Sequence, residues 1–330
     1  MADALRIGSV SLGGRVLLAP MASVSDLPFR RTAARLGAVY AASEMVACTT
    51  LAQGRADMVH RAAAGDGLPL MVLQIAARTP EDIAMGAGMA EAAGADIIDI
   101  NMGCPSREVV GGLSGAALMR DLGLACQQIE AAVGATSRPV TVKMRLGWDD
   151  ASRNAPELAA MAERCGAAAL TVHGRTRNQF YKGHADWAAV AAVKAATTLP
   201  VIVNGDIVDA NSARMALAQS GADAVMVGRA AVGRPWIAGA LDAALRQGGD
   251  MVEPDAVARL NIAIEHLRDS QRFYGAALGL RIFRKHLAGY IDAAPWPGDD
   301  GMRRQARGQI CQLKTGAEVE TALTELWRVH

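Results

Sequence analysis

Residues 139–175 read PVTVKMRLGWDDASRNAPELAAMAERCGAAALTVHGR. Two short apolar runs, 139–147 and 168–175, flank an alanine-rich stretch that ends at Cys165-Gly166. The runs are apolar on both faces, as strands covered from both sides must be, and the stretch between them is long enough for one helix. Each run closes on groups that can do chemistry: Lys143 and Arg145 in the first, His173 and Arg175 in the second. A strand–helix–strand repeat of this kind builds a parallel sheet.

The same pattern extends in both directions. RVLLAPMA (15–22), AVYAASEM (38–45), PLMVLQIA (69–76) and DIIDINMG (96–103) precede the unit, and PVIVNGDI (200–207) and DAVMVGRA (223–230) follow it. Eight such units predict an α/β protein, a parallel TIM (β/α)8 barrel with its site at the carboxyl ends of the strands. The even-numbered runs are entered through a glycine–alanine step, at 37, 94, 166 and 221, where a left-handed residue would end the preceding helix. Runs three, five and seven are entered through Pro69, Pro139 and Pro200, which cost no ladder bond at a strand's first residue. A doubly wound sheet would carry a glycine-rich phosphate turn after its first strand, and APMASVSD is not one.

At 330 residues the chain exceeds the roughly 250 that one barrel needs. The surplus predicts two domains: a barrel over 1–245 and a small C-terminal helical domain over 246–330. A helix at about 236–246 leads into RQGGDMVEPDAV, which reads as a linker. Helical periodicity then runs over 254–330, with stops at Gly275, Pro295-Trp296-Pro297 and Gly316. Between 271 and 309 stand seven Lys or Arg against three Asp, which reads either as a solvated helix face or as a polyanion site.

Net charge is +1, which excludes a globally basic nucleic-acid binder, and 4% aromatic residues exclude a broad base-stacking platform. No run approaches about 18 apolar residues, and the N-terminus lacks the apolar segment of a signal peptide, so a cytoplasmic protein with no membrane contact is expected. The five cysteines (48, 104, 126, 165 and 311) contain no CxxC pair. Reduced thiols and no metal site are expected, with all but Cys104 packing as small hydrophobes.

The strand ends name the candidate site. Asn204, Gly205, Asp206, Gly228 and Arg229 end runs seven and eight, where barrels hold phosphate. Lys143, His173 and Gln74 on neighbouring strands suit a flavin mononucleotide, whose reduced ring carries negative charge that a lysine stabilises. Cys104, in NMGCP, opens the glycine-rich stretch 103–119, read as a mobile loop over the strand ends. Its thiol can serve as a nucleophile or a proton donor. Arg175 and Arg177, followed by Phe180, Tyr181 and Lys182, suit a large anionic substrate at the pocket mouth, or else a solvated loop.

APMASVSDLPFR, SEM, VLQIA, DINMGCP, VKMRLGW, TVHGRTRNQFYKG, NGDI and VGRAAVGRPW, in this order, resemble the tRNA-dihydrouridine synthases, and the bacterial B branch most. The resemblance covers essentially the whole chain. It implies reduction of the C5–C6 double bond of a tRNA uridine by FMN that NADPH has reduced, with Cys104 as proton donor. It further implies that Pro20, Met21 and Ala22 wrap the flavin, that Gln74, Lys143 and His173 contact it, and that Asn204, Gly205, Asp206, Gly228 and Arg229 hold its phosphate end. Substrate would meet Asn101, Arg145, Arg175 and Arg177, and the helical domain would grip tRNA through Arg281, Arg284 and Lys285. No obligate protein partner is implied.

Where the family often carries lysines after GCP, this chain has Ser106-Arg107-Glu108 and Gly111-Gly112, which alters the expected grip on tRNA near the loop. Two other readings stay open from the residues themselves: an FMN barrel acting on a small molecule, of the dihydroorotate dehydrogenase kind, and an RNA-binding regulator without catalysis. No motif records the uridine position, the oligomeric state or the choice between NADPH and NADH.

Overall fold

The computed structural model describes residues 5–63, 67–294 and 299–328. The strands are β1 (Arg6–Ile7), β2 (Val10–Ser11), β3 (Val16–Leu18), β4 (Val46–Ala47), β5 (Val72–Ala76), β6 (Ile97–Met102), β7 (Val140–Arg145), β8 (Ala169–His173), β9 (Val201–Asn204) and β10 (Ala224–Val227). The helices up to the last barrel strand are α1 (Leu27–Arg35), α2 (Cys48–Ala52), α3 (Ala56–Ala62), α4 (Pro80–Ala92), α5 (Arg107–Gly111), α6 (Leu122–Gly134), α7 (Ala155–Arg164), α8 (Ala188–Ala195) and α9 (Ala210–Ser220). Then come α10 (Ile237–Gln247), α11 (Ala256–Tyr274), α12 (Ala276–Ala293), α13 (Asp300–Ile310) and α14 (Gly316–Arg328).

Strands β3 and β10 down to β4 form one parallel sheet in the order β3-β10-β9-β8-β7-β6-β5-β4. Bridges from Leu18 to Ala41 and from Ala42 to Val72 curl it shut, so the predicted barrel is present. The second run, 38–45, is not the regular strand expected from its composition. The Ser43 hydroxyl accepts the Gln74 N–H at 3.0 Å, taking the place of a main-chain carbonyl. Pairing resumes only where Val46 meets Ile75, four residues beyond Ala42 against three beyond Val72. That extra residue is a bulge, and it turns Glu44 toward the strand ends, where its carboxylate accepts the Ser23 N–H at 2.5 Å.

Side chains alternate along each strand, and the inward set changes character with height. Val72, Ile97, Ala169, Ile202 and Ala224 fill the lower interior, and the N-terminal hairpin β1–β2 closes it from below with Leu5, Ile7 and Leu12. Above that layer the inward positions are Gln74, Asp99, Asn101, Thr141, Lys143 and His173, all but Lys143 buried. The hairpin has no counterpart in the strand pattern read from the sequence. The glycine–alanine steps do: Gly37, Gly94, Gly166 and Gly221 all have φ between 64° and 93°.

The short helix α5 and a 3-10 turn over Gly115–Arg120 occupy the glycine-rich stretch after β6. On the outer face Cys126 of α6 and Cys165, just after α7, are joined in a disulfide with Cα atoms 6.2 Å apart. The expectation of unpaired packing thiols is corrected here: neighbouring helices on the barrel wall bring together cysteines 39 residues apart.

Helices α11 to α14 build a separate apolar cluster around Phe283, Leu287, Tyr290 and Trp327, which Trp236 from the barrel side enters. Gly275 (φ 86°) parts α11 from α12 and Gly316 opens α14, as expected, while the Pro295-Trp296-Pro297 stop lies outside the described residues. The chain leaves the barrel through Gly233 (φ 75°), pressed against the backbone of Gly289 in α12, so that a Cβ there would strike the Gly289 carbonyl. Gly233→Ala is therefore expected to cost about 2–4 kcal/mol through combined left-handed strain and overpacking, read as a lowered urea midpoint with unchanged slope.

Candidate functional site

A cavity of about 880 Å³ opens at the carboxyl ends of the strands, within the range that holds cofactors and small ligands. Its polar wall is ordered from below by Asp99. That carboxylate accepts Gln74 Nε2 at 2.7 Å and the Thr141 hydroxyl at 2.7 Å. An ionised carboxylate only accepts, so it fixes the Gln74 amide with its NH2 inward and its oxygen outward. Gln74 Oε1 then accepts Asn101 Nδ2 at 2.8 Å. Asn101 Oδ1 is left to accept the Gly103 N–H at 3.2 Å and the Cys104 N–H at 2.9 Å. One buried anion thus sets the sense of a hydrogen-bond chain that ends on the backbone of Cys104.

Burial pushes the Asp99 carboxyl up to about 6, against the bonds from Gln74 and Thr141 and the charge of Lys143. Across from it Lys143 donates to Asn204 Oδ1 at 3.1 Å, and Asn204 Nδ2 donates to the Met226 carbonyl at 2.7 Å. Burial, then the charge of Arg145, brings the Lys143 ammonium down to about 8. His173 is pushed well below its ordinary value, first by burial and then by Lys143, Arg145 and Arg175, so its imidazole is neutral. Cys104 is half-buried, with Sγ 3.6 Å from the Ser106 hydroxyl.

Arg145 is buried and spent on structure: its guanidinium donates to the Gly103, Thr176 and Phe180 carbonyls at 2.8–2.9 Å. It ties the Cys104 turn to the loop after β8 while still lining the cavity. Asp206, at φ 53°, accepts Arg175 at 2.5 Å and Arg229 at 3.1 Å. Burial alone would raise this carboxyl, yet the bonds from Arg175 and the Ala185 N–H hold it below the usual carboxylate range.

Fifteen of the nineteen residues expected at the site line this one cavity: Pro20, Met21, Ala22, Gln74, Asn101, Cys104, Lys143, Arg145, His173, Asn204, Gly205, Asp206, Gly228 and Arg229 from the barrel, and Lys285 from α12, which donates to the Ala22 carbonyl at 3.2 Å. The other four lie elsewhere. Arg175 is buried beneath the wall, bonded to Asp206, His173 and the Lys182 and Gly183 carbonyls. Arg177 stacks over Trp148 and Phe180. Arg284 donates to the Leu313 carbonyl and Arg281 is exposed, both outside the lining.

Sequence reasoning missed Asp99, although an acid at an inward position of DIIDINMG was the available signal. It also missed Arg61, which comes from α3 to line the cavity near Met45, and nothing in that helix's pattern announces it.

Because the folded protein keeps the Asp99 proton that the unfolded chain releases near 3.8, its contribution to stability is greatest at low pH and is lost as pH rises to about 6. Relative to Asp99→Asn, the wild type should lose on the order of 3 kcal/mol of unfolding free energy across that window. Urea titrations of both proteins at several pH values check this, and a pH-independent difference would refute the upward push that burial gives this carboxyl.

Comparison with known proteins gives concordant results. The family model described as Dihydrouridine synthase (Dus) matches residues 17–326. A probable tRNA-dihydrouridine synthase of Rhodobacter capsulatus is 50% identical over 295 residues, covering 89% of this chain and 91% of the relative. The tRNA-dihydrouridine synthase B of Xanthomonas axonopodis pv. citri is 44% identical over 296 residues, covering 89% of each. Among solved structures, morphinone reductase superposes with a TM-score of 0.54 at 17% identity, over 78% of this chain and 91% of that one. A 2-naphthoyl-CoA reductase complex gives 0.58 at 12%, over 75% and 52%. These two likenesses carry the barrel fold alone.

Proposed function

Because the chain belongs to the dihydrouridine synthase family, we propose that its strand-end cavity holds flavin mononucleotide and admits one uridine of a tRNA, with Cys104 as the proton donor. It would act, as its relatives are named, as a tRNA-dihydrouridine synthase, reducing the C5–C6 double bond of uridine. What carries the active-site reading is the meeting of Cys104, Asn101 and Lys143 on one cavity wall, with Arg229 and Gly228 on the same cavity's rim.

The residues fit the cofactor. Lys143 is half-buried with one protein acceptor, Asn204, which leaves two donors for an anionic ring edge. Gln74 Nε2 and Oε1 each keep one unused position, so its amide can both give and accept a bond there. Pro20, Met21 and Ala22 would lie along the flavin and His173 against it. A Cβ at Gly228 would meet nothing nearer than Ala19 at 3.9 Å, so the backbone there leaves room for a phosphate. Asp206 would repel a phosphate if bare, but Arg175 neutralises it and leaves the largely exposed Arg229 able to swing outward.

When bound and reduced, the flavin would supply a hydride equivalent for C6 of the base, with NADPH proposed as the source of its electrons. Cys104 gives its thiol proton to C5, which leaves a thiolate. Lys143 and Arg145 both stand within electrostatic reach of the Cys104 sulfur. Asn101 holds the Cys104 turn through two backbone bonds, so the sulfur is presented without reorganisation. A stacked uridine must swing out of the folded tRNA to reach this depth.

We assign residues 246–330 to the tRNA grip, with Lys285 at the cavity rim and Arg281 and Arg284 farther along α12, and we place the activity in the cytoplasm. Among the described residues no helix is long and apolar enough to cross a membrane.

Protein purified without added flavin should release FMN on denaturation; release of none, with no reconstitution, would overturn the cofactor. Cys104→Ala should keep wild-type flavin content while dihydrouridine formation, read by nucleoside mass spectrometry of tRNA, falls by about 10²–10⁴-fold. Unchanged turnover would remove the thiol from the mechanism.

A further inference from the structure

A second polar cluster lies away from the cavity, where the barrel meets the helical bundle. Asp26 comes from the N-cap of α1, His266 from the middle of α11 and His286 from α12. All three are buried, at 4%, 0% and 1% exposure. One potential ligand atom from each lies within 4.8 Å of the other two, and His286 Nε2 stands 3.8 Å from Asp26 Oδ1.

Burying polar atoms without partners is costly, yet His266 Nε2 and His286 Nε2 lack a hydrogen-bond partner in the protein, and Asp26 Oδ2 has no close one, the Tyr274 hydroxyl acting on that carboxyl from farther off. Two of the remaining atoms are tied to the protein: Asp26 Oδ1 accepts the Phe29 N–H at 3.1 Å, and His266 Nδ1 pairs with the Tyr290 hydroxyl at 3.1 Å. Ligating carboxylates and imidazoles are oriented in this way, one atom tied to the protein and the other aimed at a metal. Phe29 stacks on His286 at 5.4 Å and Phe283 meets His266 edge-on at 5.1 Å, which gives the trio a dry surround.

We propose that Asp26, His266 and His286 bind one divalent transition-metal ion of the zinc class, which pins α1 of the barrel to α11 and α12. Two imidazoles and a carboxylate match that class, at about 2.0–2.2 Å per ligand, and each side chain would need to close in by less than about 1 Å. The nearby Arg30 guanidinium opposes a second cation, but it acts on Asp26 more weakly than Glu44 does from the other sign. This site stands apart from the catalytic reading, because none of its ligands lines the cavity.

The test uses the intact flavoprotein, stripped with chelator and titrated with cobalt(II) as a spectroscopic stand-in for zinc. The expected result is one cobalt per chain, with visible bands of tetrahedral or five-coordinate nitrogen–oxygen ligation and a raised melting temperature read on the flavin absorbance. His266→Gln and His286→Gln should weaken binding on the order of 100-fold or more, and Asp26→Asn, which keeps a capping oxygen, should weaken it at least about 10-fold. The wild-type titration stands without any variant, should a histidine replacement fail to fold. Absence of stoichiometric cobalt from folded wild-type protein overturns the proposal. So does a cobalt–thiolate charge-transfer band, which would assign the ion to Cys126 and Cys165, or binding that survives both histidine replacements.

Discussion

One carboxylate inside the barrel orders the polar wall of the cavity. Asp99 has nothing but acceptors to offer once ionised, so every amide above it has a single satisfactory orientation: Gln74 gives to it, Asn101 gives to Gln74, and the turn at Gly103-Cys104 gives to Asn101. The cost of burying that charge is offset only in part by Gln74 and Thr141 and by the distant Lys143. A barrel interior filled only with apolar side chains would be easier to build and would have no defined polar surface at the strand ends. Here the apolar layer stops at Val72, Ile97 and Ile202, with the hairpin beneath it, and the polar layer begins one alternation higher.

Much of this was legible in the sequence, for a physical reason. Strand runs buried on both faces announce themselves as apolar, and an inward polar residue near their ends stands out against that background, as Lys143, His173 and Asn204 do. The second strand misled because AVYAASEM has the right composition, while its pairing is broken by one hydroxyl, Ser43, standing in for a carbonyl. No propensity records such a substitution. The β1–β2 hairpin escaped notice because two-residue strands carry no period.

Loop arginines were the least readable. Arg175 and Arg177 sit in a basic, aromatic stretch that suggests an open anion site, yet backbone carbonyls of that same loop, Asp206 and the Trp148 ring take up their guanidinium groups. Arginine's five donors make it as useful for holding a loop as for meeting a phosphate, and only three-dimensional geometry separates the two uses. The cysteine pair on α6 and α7 was hidden for a related reason, since adjacency on the outer helical ring is set by barrel closure and not by spacing along the chain.

Lys285 belongs to α12 but ends on the Ala22 carbonyl, at the lip of the cavity. The helical bundle is therefore a piece of the pocket's doorway as well as a neighbour of the barrel. On the proposed function, rocking of the bundle would change the width of that doorway, so that docking of a bulky polymer and admission of its single base would be mechanically linked events.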